Sequence, residues 1–198
     1  MIQVVLASQS AIRKKLLTAA GLAFDCLSPG VDEDAAKAAL LAEDWSPRDI
    51  ADHLAELKAL RVSRKLPGAL VIGADTTLDL DGKLFDKAAD MGGARDKLIA
   101  LRGKTHRLHS AVVAARDGVA IWRDISSPKL TVRDFSDAWL DDYLAREGDK
   151  LLWSVGCYEL EGLGAQLFEK IEGDYFAVLG LPMLGLLDLL RRHGAMPS

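Results

Sequence analysis

In Leu70-Val71-Ile72-Gly73-Ala74-Asp75-Thr76-Thr77 a carboxylate breaks an otherwise apolar run directly after two small residues. Burying a charge is costly unless a cation, a metal or hydrogen bonds compensate it, and the nearby glycine lets another backbone or a ligand come close. Asp75 is therefore a candidate for proton transfer or divalent-metal binding; the plainer reading is an acid at a strand end that organises a turn. In Leu6-Ala7-Ser8-Gln9-Ser10-Ala11-Ile12-Arg13, two hydroxyls and free backbone N–H groups arrive at a helix start, with a guanidinium one turn in. Unpaired N–H groups and the helix dipole favour an anion there, and a planar guanidinium fork suits phosphate oxygens. Ser8, Ser10 and Arg13 thus form a candidate phosphate cradle, against the simpler picture of a serine N-cap followed by a surface arginine.

Other groups could join these two segments. Lys87 lies just past a turn signal and folds back toward Asp75 if that turn is tight. Lys58 from a helix and Glu33 from a loop would add a cation for phosphate and a second carboxylate for a divalent ion, although each alone also reads as a solvated surface residue. Gly156 to Gly164 is a glycine-spaced loop that suits close packing around a ligand and, equally, tight turns. His106 has no second His or Cys at ligand spacing, so a hydrogen-bonded structural imidazole is expected. Cys26 and Cys157 are isolated from each other and from any histidine cluster, and both are expected to be buried, inert thiols.

The elements that must position these residues follow from periodicity and punctuation. Ile2 to Ala7 reads as a strand and Ile12 to Ala20 as a helix stopped by Gly21. Leu22 to Leu27 reads as a second strand, and Ser28-Pro29-Gly30 opens a loop carrying Asp32 and Glu33. Ser46-Pro47 starts a helix with an apolar face of Ile50, Leu54, Leu57 and Val62, and with Lys58 on it. Ala69 to Leu80 meets Lys83 to Phe85 through the hairpin signal Asp81-Gly82, and Thr105 to Ala115 meets Val119 to Ile125 through Asp117-Gly118. Helices over 94–101, from Ser136 to about Arg146, and over 184–192, with strands at 129–132 and 167–171, complete the pattern. Early helix–strand alternation interrupted by hairpins predicts a mixed-sheet α/β protein.

Composition narrows the function. The chain has 198 residues, 49% of them hydrophobic, and is read as a single folding unit over 1–198. A net charge of −4 lacks the basic excess of a nucleic-acid-polymer binder, so an anionic ligand should be small and locally held. No run approaches the ~18 apolar residues of a membrane span and no signal-peptide pattern opens the chain, so a cytoplasmic protein is expected.

Taken in order, LASQSAIRKKLL, PGVDE, Lys58-Ala59, VIGADTT, LRGKTH, GCYELEGLGAQLFEKIEGDY and GLP resemble the Maf family from end to end. The resemblance implies an elongated α/β fold like that of inosine triphosphate pyrophosphatases, with a nucleotide cleft between two lobes, and a homodimer in many members. It implies hydrolysis of a nucleoside triphosphate to the monophosphate and pyrophosphate with magnesium or manganese. Ser8, Arg13 and Lys87 would then meet the phosphates, and Glu33, Lys58 and Asp75 would form the catalytic cluster, with Glu33 and Asp75 as metal ligands and Asp75 as proton acceptor. The chain departs from many members at Asp86-Lys87-Ala88, where they read GKP, and at Ile12, where one branch has arginine. Glu161 stands where one branch has glutamine and prefers dTTP and UTP, and another has glutamate and prefers 7-methyl-GTP. A carboxylate offers two acceptors to the N1–H and amino group of guanine, which favours 7-methyl-GTP here. The alternatives are a dTTP/UTP enzyme and a nucleotide-binding regulator of septum formation without turnover.

Overall fold

The computed structural model describes residues 2–197, so Met1 and Ser198 of the expected single unit lie outside it. The chain runs β1 (Val4–Ala7), α1 (Ala11–Ala19), β2 (Asp25–Cys26), α2 (Glu33–Ala42), α3 (Pro47–Ser63), β3 (Leu70–Leu80) and β4 (Lys83–Phe85). It continues through α4 (Met91–Leu101), β5 (Thr105–Arg116), β6 (Val119–Ser126), β7 (Lys129–Val132) and α5 (Asp137–Glu147). Two 3-10 helices (Gly148–Trp153 and Leu163–Leu167), β8 (Phe168–Glu172), α6 (Tyr175–Val178) and α7 (Met183–Arg192) close it. Among the described residues eight strands form one sheet in the order β2-β1-β3-β5-β7-β8, with β4 on β3 and β6 on β5. β1 is parallel to β2 and β3, and the remaining pairings are antiparallel, which is the mixed α/β sheet that the pattern predicts.

The register places the chemistry. Ala7 pairs with Gly73 at the end of β1, so the chain leaves that strand as Ser8 while β3 runs on through Ala74 and Asp75 against β5. Ligands of open α/β sheets collect at such carboxyl ends of parallel strands. Successive side chains of β3 point to opposite faces. Ile72 and Ala74 pack in the cluster that includes Leu17 of α1 and Leu186 of α7, while Val71 packs with Val62 of α3. Asp75 therefore belongs to the α3 face. Both hairpins turn as their Asp-Gly pairs demand, with positive φ at Asp81 and Gly82 and at Asp117 and Gly118.

Some expectations change. The loop assigned to Asp32 and Glu33 becomes a helix at Glu33, capped by the Asp32 carboxylate accepting the Ala35 N–H at 3.0 Å. The strand read over 22–27 shrinks to Asp25–Cys26, and Cys26 is exposed rather than buried; Cys157 is buried as expected. Leu57 is only half-buried, because the inner face of α3 is given over to Ala51, Ala55, Lys58 and Ala59. No helix among the described residues is long and apolar enough to cross a membrane.

His106 bears out the structural reading. Its Nε2 lies 2.7 Å from the Tyr158 hydroxyl inside the cluster of Leu130, Phe135 and Tyr143, and its Nδ1 is buried without a partner among the described residues. Burial lowers its pKa from 6.5 to about 4. Between those values the unfolded chain binds a proton that the folded one refuses, so stability falls as pH drops through this window, by up to about 3 kcal/mol. Urea midpoints at pH 7 and pH 4.5 should drop further for the wild type than for His106→Leu; equal drops would show that another group carries the acid sensitivity.

Candidate active site

The site begins with a close approach of two backbones. A Cβ built on Gly73 would stand 2.2 Å from the Ala55 carbonyl oxygen and 2.6 Å from the Ala59 nitrogen, so only glycine lets α3 lie this near β3. Ala51, Ala55 and Ala59 continue the contact against Ala111, Val113 and Ala115 of β5. The helix thereby brings Lys58 directly onto Asp75, with Nζ donating to Oδ1 at 2.7 Å, and both side chains are more than nine-tenths buried. The same ammonium lies 2.9 Å from Glu33 at the first turn of α2. Three expected residues, Glu33, Lys58 and Asp75, thus form one cluster.

The cluster is unevenly satisfied. Asp75 Oδ2 is buried and makes no hydrogen bond among the described residues, and two carboxylates share one ammonium. An unpaired buried carboxylate oxygen is costly, so it reads as a position reserved for a ligand, water or cation. No group of three His, Cys, Asp or Glu residues is arranged to hold a metal among the described residues. Two carboxylates still fit magnesium or manganese, since magnesium usually takes one or two protein carboxylates and completes its shell with waters and substrate phosphates.

Ser8, Ser10 and Arg13 sit beside this cluster in roles that differ from a free phosphate fork. Arg13 is buried; its Nε donates to the Gly180 carbonyl at 2.9 Å, Nη1 to the Ala74 carbonyl at 3.0 Å and to Ser8 Oγ at 3.3 Å, and Nη2 to Thr76 Oγ1 at 3.1 Å. Of five N–H groups these bonds leave one. Burial presses the Arg13 pKa below its ordinary value, opposed by the charges of Asp75 and Glu33. Ser10 is the N-cap of α1, its Oγ accepting the Arg13 N–H at 3.5 Å, which is the plainer of its two readings.

Lys87 lies beyond β4, exposed, and among the described residues its ammonium has no ion pair. Its neighbours were not foreseen. Asp86 accepts from Lys37 Nζ at 2.9 and 2.8 Å and from the Lys87 N–H at 2.8 Å. Burial works against the Lys37 ammonium, but its hydrogen bond to Asp86, aided by the charges of Asp86, Asp75 and Glu33, leaves its pKa raised. Lys97, buried, donates to the carbonyls of Asp86 and Val155, and desolvation lowers its pKa. Lys37 stands one turn after Glu33, a spacing that marks it only once α2 is recognised as a helix. Glu161 is exposed and accepts from Lys15 of α1 at 2.8 Å across 146 residues of chain. A groove of about 690 Å3 beside β2, lined by Phe24 and Cys26 among others, holds none of these groups.

A family model described as Maf-like protein matches residues 3–193. A nucleoside triphosphate pyrophosphatase of Caulobacter vibrioides is 67% identical over 193 residues, covering 98% of this chain and 96% of its own. One of Paramagnetospirillum magneticum is 54% identical over 192 residues, covering 97% and 99%. A 7-methyl-GTP pyrophosphatase of Brucella abortus is 50% identical over 192 residues, covering 97% and 96%.

Removing one partner of a buried ion pair leaves the other uncompensated. Lys58→Met should therefore cost about 3–5 kcal/mol, while the double variant Lys58→Met/Asp75→Leu should regain most of that loss. Urea midpoints of the wild type and both variants check this, and a double variant no more stable than Lys58→Met would contradict the pairing.

Proposed function

This chain belongs to the Maf family, and from that premise we propose that it hydrolyses a nucleoside triphosphate to the monophosphate and pyrophosphate. One observation carries the assignment of roles: Asp75 has one oxygen bound by Lys58 and the other buried and, among the described residues, unpartnered. A carboxylate held in this way can accept a proton without rotating off its anchor. In the proposed reaction Asp75 Oδ2 takes the proton of a water that attacks the α-phosphorus, and the bond from that phosphorus to the bridging oxygen breaks to release pyrophosphate. Lys58 holds both carboxylates in place. The remaining N–H of Arg13, the free N–H groups at the start of α1, Ser8 and the exposed Lys87 bind phosphate oxygens. Magnesium or manganese, held by Glu33 and Asp75 together with the phosphates, would neutralise charge on the leaving pyrophosphate.

The base preference proposed is 7-methyl-GTP. Glu161 supports it, because a carboxylate accepts twice from the guanine N1–H and amino group, and the Lys15 contact ties that carboxylate to α1. The name of the Brucella abortus relative points the same way. A cytoplasmic location, a homodimer and a house-cleaning role on modified nucleotides belong to this reading and rest on the likeness to the family.

Asp75→Asn should lower pyrophosphate release by about 10²–10⁴-fold while nucleotide binding persists. Retained turnover would remove Asp75 as proton acceptor, and a wild type that binds nucleotides but releases no pyrophosphate with either metal would favour the regulator. In a panel of 7-methyl-GTP, GTP, CTP, UTP and dTTP, release should be fastest with 7-methyl-GTP, vanish on chelation, and shift toward UTP and dTTP in Glu161→Gln. A wild-type preference for dTTP and UTP would discard the base assignment and keep the enzyme.

A further inference from the structure

We propose that Lys37 and Asp86 form a clamp that holds the segment carrying Lys87 against α2, which makes both of them positioning residues for phosphate binding. The inference rests on the reading of Lys87 as a phosphate ligand. Between β4 and α4 the chain reads Asp86-Lys87-Ala88-Ala89-Asp90, with no glycine or proline to give the segment a shape of its own. An exposed lysine on such a segment would lose its position to backbone freedom unless something outside held it.

The structure supplies two holds on the residue before Lys87. The Asp86 carboxylate receives Lys37 Nζ on both oxygens, at 2.9 and 2.8 Å, and one of those oxygens also accepts the Lys87 N–H at 2.8 Å. The Asp86 carbonyl receives Lys97, whose ammonium also bonds the Val155 carbonyl at 3.0 Å. Lys37 is not a loose surface cation. Its side chain is 13% exposed, it reaches across 49 residues of chain, and it stands on the same face of α2 as Glu33, one turn further on. Because Glu33 is itself fixed to Lys58, the path Lys58, Glu33, α2, Lys37, Asp86 ties the Lys87 segment to the cluster around Asp75. Partly exposed ion pairs add little to global stability, so the consequence of this one lies in placement. Placement matters because a phosphate-binding cation an ångström or so off position loses much of its effect.

The test compares kcat and KM for pyrophosphate release with the Kd of a non-hydrolysable α,β-methylene nucleoside triphosphate in the intact protein. Lys37→Met and Asp86→Asn should each raise KM and Kd on the order of tenfold, with kcat within about twofold of the wild type. The double variant should be no worse than either single one, Lys37→Arg should recover part of the loss, and neither substitution should weaken binding further in a Lys87→Met background. Unchanged KM and Kd in the single variants, or losses that add fully to that of Lys87→Met, would overturn the clamp while leaving the hydrolase intact. A wild type that binds the analogue but never releases pyrophosphate would overturn the hydrolase, and the clamp would then stand or fall on the Kd values.

Discussion

Where α3 crosses β3 the two backbones come too close for any side chain, and the geometry of the site depends on that contact. Gly73 leaves the space, Ala55 and Ala59 fill it with nothing larger than a methyl, and the next position along the helix face is Lys58. At this depth each group compensates the burial of the other, and removing either would leave its partner unpaired. Glu33 joins the same ammonium from the edge, so that two carboxylates share one lysine. The buried Oδ2 of Asp75, which has no hydrogen-bond partner among the described residues, is the place in this cluster that the proposed reaction uses.

Around this fixed pair the cations divide between holding the protein and meeting the ligand. Arg13 spends four of its N–H groups on Ser8, Thr76 and the carbonyls of Ala74 and Gly180, binding the end of β1 and the middle of β3 to the connection between α6 and α7. Lys97 is likewise committed to backbone carbonyls. Lys87 is left exposed on a tethered segment. In the proposed reaction this division lets the buried groups keep their positions while an exposed cation meets the triphosphate.

Much of this was legible in the sequence, and the parts that were not share a cause. Asp75 could be found because a carboxylate inside an apolar strand is an anomaly that demands compensation. The hairpins could be found because Asp-Gly supplies the positive φ that the turns need. α2 escaped because Ser28-Pro29-Gly30 and a run of acids resemble loop sequence, although Asp32 as a cap and an alanine-rich continuation were there to be read. With α2 unread, Lys37 had no face and no partner. The strand at 22–27 was overread because an apolar run says nothing about how far its neighbour extends, and β1 offers pairing only at Val5 and Leu6. The contacts of Asp86 with Lys37 and of Glu161 with Lys15 join residues far apart in the chain, which periodicity and local spacing cannot foresee.

In the proposed reaction, water activated at Asp75 attacks the α-phosphorus. Hydrolysis of a nucleoside triphosphate in ¹⁸O-labelled water, followed by mass analysis of both products, tests this directly. Attack at the α-phosphorus puts the label in the nucleoside monophosphate and none in the pyrophosphate. Label in the pyrophosphate would mean attack at the β-phosphorus and would contradict the role given to Asp75.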